Sequence, residues 1–147
     1  MNNQSELIDK LKLEIPEFLE YFDIYDENPY IVLGDLGIFI ENIHNSIYKI
    51  VKYGTESKTI KNDLLILGKI FKYLNKIYNS KNENIENIID VSIWELLVTL
   101  QYGYNISKDY MSESMYLDFI ISFPFEKYKL NWDTEKLYSK KDIDNLL

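Results

Sequence analysis

Cysteine, alanine and arginine are all missing from this chain, and histidine occurs once. Without cysteine there is no disulfide, no thiolate ligand for a metal and no thiol nucleophile. Without arginine the chain lacks the planar fork that clamps phosphates and carboxylates bidentately, and all 16 basic side chains are lysines. That lack, together with a formal net charge of −8, argues against a reader of nucleic acid, because a polyanion is repelled and not gathered. A single imidazole supplies neither the ligand pair of a usual zinc site nor a two-imidazole acid–base mechanism. Long apolar runs are missing too, since none nears the ~20 residues that a membrane-spanning helix needs. The opening Met1-Asn-Asn-Gln-Ser-Glu6 has no basic stretch leading into an apolar one, unlike a signal peptide. The expected location is the cytoplasm, with no membrane association.

What is present is a globular composition. The chain has 147 residues, 46% hydrophobic and 27% charged, which suits one domain with a sizeable core. Isoleucine, asparagine, lysine and tyrosine are abundant. Their codons are AT-rich, whereas those of alanine and arginine are mostly GC-rich, so a low-GC bacterial genome or mobile element accounts for the bias. An acidic surface favours basic partners, and it also keeps a free protein soluble.

Apolar spacing along the chain is helical almost throughout. Asn3 with Glu6 resembles a capping box opening a helix to about Glu14. Pro16 suits the first turn of a second helix, Pro16–Tyr25, ended by Asp26-Glu27-Asn28-Pro29. Leu36, Phe39, Ile40, Ile43, Ile47, Ile50 and Val51 form a stripe that predicts a helix from Asp35, as N-cap, to Lys52. The preceding Tyr30–Gly34 reads equally as a helical turn or an extended approach. A fourth helix is predicted over Lys58–Tyr78, and a fifth, apolar nearly all round and hence central, over about Asn84–Gln101. Tyr102–Asn105 reads as a turn. A sixth helix follows from Ser107 or Ser112 to Ser122, stopped by Pro124. The tail 124–147 is less regular, although Asp133 could open a last short helix. The expected fold is an all-α, single-domain antiparallel array of five to seven helices, with its core over about residues 5–123.

Few constellations carry chemistry. His44 borders the apolar stripe of the third helix, and no G-x-S-x-G elbow accompanies it, so a half-covered boundary histidine is expected. Gly34-Asp-Leu-Gly37 has neither the dinucleotide nor the P-loop spacing and reads as a helix-opening turn. Calcium-loop spacings are absent. No catalytic, cofactor-binding or metal-binding residues are expected.

Three sets of acids stand out as candidates for binding a partner. The first is a ridge of Glu17, Glu20, Asp23, Asp26 and Glu27 accompanied by Tyr21, Tyr25 and Tyr30, since tyrosine brings large contact area and a polar tip at low entropic cost. The second is Glu83, Glu86 and Asp90 at the start of the fifth helix, where the helix dipole by itself favours carboxylates. The third is Glu95, flanked on its own helical face by Ile88, Val91 and Val98. A carboxylate there has to be paired, with a lysine or tyrosine as the favoured internal partner, or else exposed at a notch where a partner docks.

The runs Ile15-Pro-Glu-Phe-Leu19, Pro29-Tyr-Ile-Val-Leu-Gly-Asp-Leu36, Ile-Glu-Asn42 and Trp94-Glu-Leu-Leu97, spread over about residues 15–100, resemble small all-helical bacterial immunity proteins encoded beside polymorphic toxins. The resemblance implies a cytoplasmic protein that covers a toxin domain, often a basic nuclease, and it assigns no residue roles. The leading expectation is thus an acidic protein-binding inhibitor, monomeric or homodimeric when free. The alternatives are an acidic nucleic-acid mimic, a self-associating adaptor module and, last, a hydrolase with an unrecognised acid pair.

Overall fold

The computed structural model describes residues 4–24, 28–53, 60–78, 81–100 and 103–128, and among them every regular element is helical. The helices are α1 (Gln4–Glu14), α2 (Phe18–Tyr21), α3 (Pro29–Tyr53), α4 (Ile60–Tyr78), α5 (Glu83–Ile89), α6 (Glu95–Leu97), α7 (Gly103–Tyr110), α8 (Glu113–Ser122) and α9 (Phe125–Tyr128). Between α5 and α6 the chain stays helical but widens into a π turn over Asp90–Trp94. The all-α expectation holds, and the apolar stripes meet in one continuous core.

Several boundaries differ from those predicted, each for a local reason. The second helix makes only one turn. Phe22 leaves it in an extended conformation (φ −130°, ψ 127°), so Phe22 and Ile24, two residues apart, can both pack on the core. Phe22 then lies 5.1 Å from Phe18 and 6.1 Å from Phe39, centroid to centroid. Helix α3 begins six residues before Asp35. Asn28 caps it by accepting from the Tyr30 N–H at 3.0 Å, and Pro29 fills the first helical position, where its missing N–H costs nothing. Asp35 is therefore an interior residue, and Val32 and Leu33 extend the buried stripe back by one turn.

Gly34 and Gly37 likewise sit inside α3 and form no turn. Gly37 has a packing reason: a Cβ there would lie 2.8 Å from the Ser92 carbonyl oxygen and 2.9 Å from Leu96 Cδ2. Only glycine lets α3 press this closely on the π turn. Gly103 starts α7 where a turn was expected. Ser112 caps a separate α8 by accepting from the Met115 N–H. Asn75 of α4 clamps the junction between α7 and α8, donating to the Tyr110 carbonyl at 3.0 Å and accepting from the Ser112 N–H at 2.8 Å. The Tyr73 hydroxyl, fully buried, donates to the Leu7 carbonyl at 2.9 Å and ties α4 to α1. The helix anticipated from Asp133 lies outside the described residues.

The π turn explains Glu95. Its backbone N–H bonds to the Asp90 carbonyl, five residues back, so one extra residue enters the turn and the residues beyond it fall roughly 100° behind their place in a uniform helix. Ile88 and Val98 stay buried, while Val91 and Glu95 swing to the exposed side. An internally paired Glu95 is thus not found: the carboxylate is exposed, with no bonding partner among the described residues. His44 also departs from expectation. It is buried (4% exposed), not half covered, and its ring stacks on Tyr48 at 6.5 Å. Burial in this apolar setting pushes its pKa down to about 4.

Candidate functional site

Among the described residues, several acids gather where the start of α5 meets α8. A hollow of about 330 Å³ is lined there by Glu83, Glu86, Asn87, Asp90, Trp94, Asp118, Ile121, Ser122 and Tyr78. Four of these are carboxylates, and no lysine is among them. The spacing of α5 and the π turn delivers the first three acids. Asn82 caps α5 by accepting from the Asn84 and Ile85 N–H groups, which leaves Glu83 and Glu86 in the first turn with side chains free to face the hollow. Asp118 arrives from α8, whose Met115 and Phe119 are anchored in the core.

Two aromatic rings make the floor. Trp94 (4% exposed) packs its ring 5.6 Å from both Tyr78 and Phe119. The Tyr78 hydroxyl donates to Asp118 Oδ2. Burial first, then that hydrogen bond and the charges of Asp118, Glu86 and Asp90, push the Tyr78 pKa upward. The same negative field acts on anything placed in the hollow. Two polar atoms of this site are shielded from water and without a partner, Asp90 Oδ1 and Trp94 Nε1. Loss of hydration raises the Asp90 pKa above the usual carboxylate range. A buried acceptor and a buried donor without partners on two residues that line one hollow are unusual, since each costs about 1–3 kcal/mol when unsatisfied.

The sequence-derived ridge is only partly assembled. Glu17 is bound to Lys69 of α4, whose ammonium holds the carboxyl below its usual range, so it serves as a tie between elements. Glu20, Tyr21 and Asp23 are exposed. The Tyr21 ring stands edge-on to Phe39 at 5.5 Å, at the mouth of a smaller cavity with Phe22, Asn42 and Asp63. Tyr25, Asp26 and Glu27 lie outside the described residues. Tyr30 belongs instead with the second acidic set, because its hydroxyl accepts from Asn87 at 2.8 Å. Asn87 in turn lines the hollow. Asp118, Tyr78 and Trp94 were missed as site residues. For Trp94 a signal existed, since it falls four residues after Asp90 and thus one helical turn away. For Asp118 none did.

Among the described residues no three acids or histidines are grouped as metal ligands, and no helix is long and apolar enough to cross a membrane. The molecule is an all-α protein with an open, acidic, aromatic-floored hollow between two of its helices. It belongs to the family described as domain of unknown function DUF7674, whose model matches residues 8–119. That match takes in Glu83, Glu86, Asp90, Trp94 and Asp118, and leaves out Ile121 and Ser122. A search of curated proteins and of solved structures finds no match.

Proposed function

We propose that this protein acts by binding, as an acidic inhibitor that covers a basic protein domain, in the manner of immunity proteins that neutralise a cognate bacterial toxin. The observation that supports this reading best is the hollow itself, with four carboxylates and, among the described residues, no lysine in its lining. Long-range attraction to a net charge of −8 steers a cationic partner to the surface, and desolvated contacts at the aromatic floor slow its release. Glu20 and Tyr21, both exposed, offer a separate acidic and aromatic surface by the cavity at Phe39 and Asp63. Catalysis is a poorer use of these groups. Asp118 is already engaged by Tyr78, and the only imidazole is walled into the core, out of reach of a substrate proton.

The test is genetic and then biochemical. Expressing the product of the gene immediately upstream should arrest growth, and co-expressing this chain should restore it through a complex that co-elutes. Glu83→Lys with Glu86→Lys should abolish the rescue while leaving the helical circular dichroism unchanged. Rescue that survives this double reversal removes the hollow from the interface, and no rescue with no complex at all removes the inhibitor reading.

A further inference from the structure

We propose that the hollow between α5 and α8 is a receptor for one basic residue presented on a peptide loop, arginine before lysine, whose side chain meets the carboxylates while a peptide carbonyl accepts from Trp94 Nε1. This deepens the inhibitor reading and rests on it for the partner being a protein.

The argument begins with the two unpartnered atoms. Trp94 is 4% exposed and lines the hollow, with its Nε1 unbonded. An indole N–H only donates, so it calls for an acceptor. Asp90 Oδ1, equally unbonded, only accepts when ionised and calls for a donor. A bare cation satisfies the second and offers nothing to the first. A basic residue within a peptide carries both groups, a cationic donor at the end of its side chain and a carbonyl acceptor on its backbone.

The form of the cation follows from the spread of the acids. No three of the described carboxylates are gathered as metal ligands, so Glu83, Glu86, Asp90 and Asp118 surround the hollow without converging on one point. A metal needs oxygens at about 2.0–2.6 Å from a single centre, whereas a guanidinium has five donors directed to different sides. The remaining lining suits the rest of such a side chain. Tyr78 gives a ring face, and Ile121, 74% exposed at the rim, gives an apolar lip for the methylene stem. Arginine, absent from this chain, then has to come from outside it.

The test uses the full chain carrying Trp132→Phe, which leaves Trp94 as the sole indole of the two in the sequence. Acetyl-Gly-Arg-Gly-amide should change its emission saturably and shift the Nε1–H resonance downfield. Combined Glu86→Gln and Asp90→Asn should weaken that binding about tenfold or more, as loss of close charge partners does. Trp94→Phe keeps the ring stacking and, read by calorimetry, should weaken the peptide about fivefold, the worth of one hydrogen bond. Butylguanidinium, which lacks a carbonyl, should bind more weakly and be indifferent to that change. Equal binding of butylguanidinium and peptide overturns the proposal in favour of free organic cations, and so does absence of saturation. Should Trp94→Phe fail to fold, an unmoved indole N–H resonance in the parent chain is equally decisive against it. Neutralisation of the upstream product without peptide binding leaves the inhibitor standing and removes this receptor; peptide binding without neutralisation does the reverse.

Discussion

The single histidine makes a quantitative test of how this core is built. His44 lies on the buried stripe of α3 at 4% exposure, and desolvation lowers its pKa from 6.5 to about 4, with a contact to Asn45 offsetting a little of the shift. In the unfolded chain the imidazole titrates near 6.5. Between these two values the unfolded chain binds more protons than the folded one, so stability must fall as pH drops through that window and level off above it. Working the linkage between pH 7.5 and 4.5 gives a loss of about 2–3 kcal/mol from this one residue. The perturbation is His44→Gln, which keeps a polar side chain of similar reach but removes the titration. Urea unfolding followed by circular dichroism at half-unit pH steps should give a shallower acid slope for the variant, the two curves converging by about 2–3 kcal/mol at pH 4.5 relative to their separation at pH 7.5. Comparing the difference cancels the carboxylates, which titrate alike in both proteins. Parallel curves across the whole range would refute the reasoning, because a buried neutral imidazole cannot be pH-silent there.

Two glycines on one helix should respond in opposite directions. Gly37→Ala must push the Ser92 carbonyl and Leu96 aside and should cost about 1–3 kcal/mol, exceeding the ~1 kcal/mol that alanine gains in a helix. Gly34→Ala meets nothing within 4 Å and should stabilise by about 0.5–1 kcal/mol, both read as shifts in urea midpoint. Asn75→Leu removes both bonds of the α7–α8 clamp and leaves the Ser112 N–H without its acceptor, and should cost about 1–3 kcal/mol with early exchange of the Ser112 amide.

The apolar periodicity carried most of the fold because α1, α3 and α4 bury one face each, and a buried stripe at helical spacing leaves its mark on the residues. What it could not carry were features decided by contact between elements. The shortening of α2 depends on Phe22 finding Phe39, and the start of α3 on reading Asn28-Pro29 as a cap rather than a break. Glu95 was misplaced because its neighbours were counted at a uniform helical pitch, and nothing in Asp90–Trp94 announces a π turn. Glu83 and Glu86 were legible as an acidic pair with Asp90 close by. That they form a hollow depends on Asp118, and which helix faces α5 is a property of packing that no local spacing records.

The widened turn at Asp90–Trp94 has a consequence for how this helix tolerates change. It holds one residue more than an ordinary turn needs. Deleting Ser92 alone would let the segment relax to ordinary pitch and still leave Glu95 outside and Leu97 and Val98 inside, whereas one further residue inserted there would rotate everything beyond it by roughly 100°. The segment Asp90–Trp94 should therefore tolerate the loss of one residue far more readily than the gain of one.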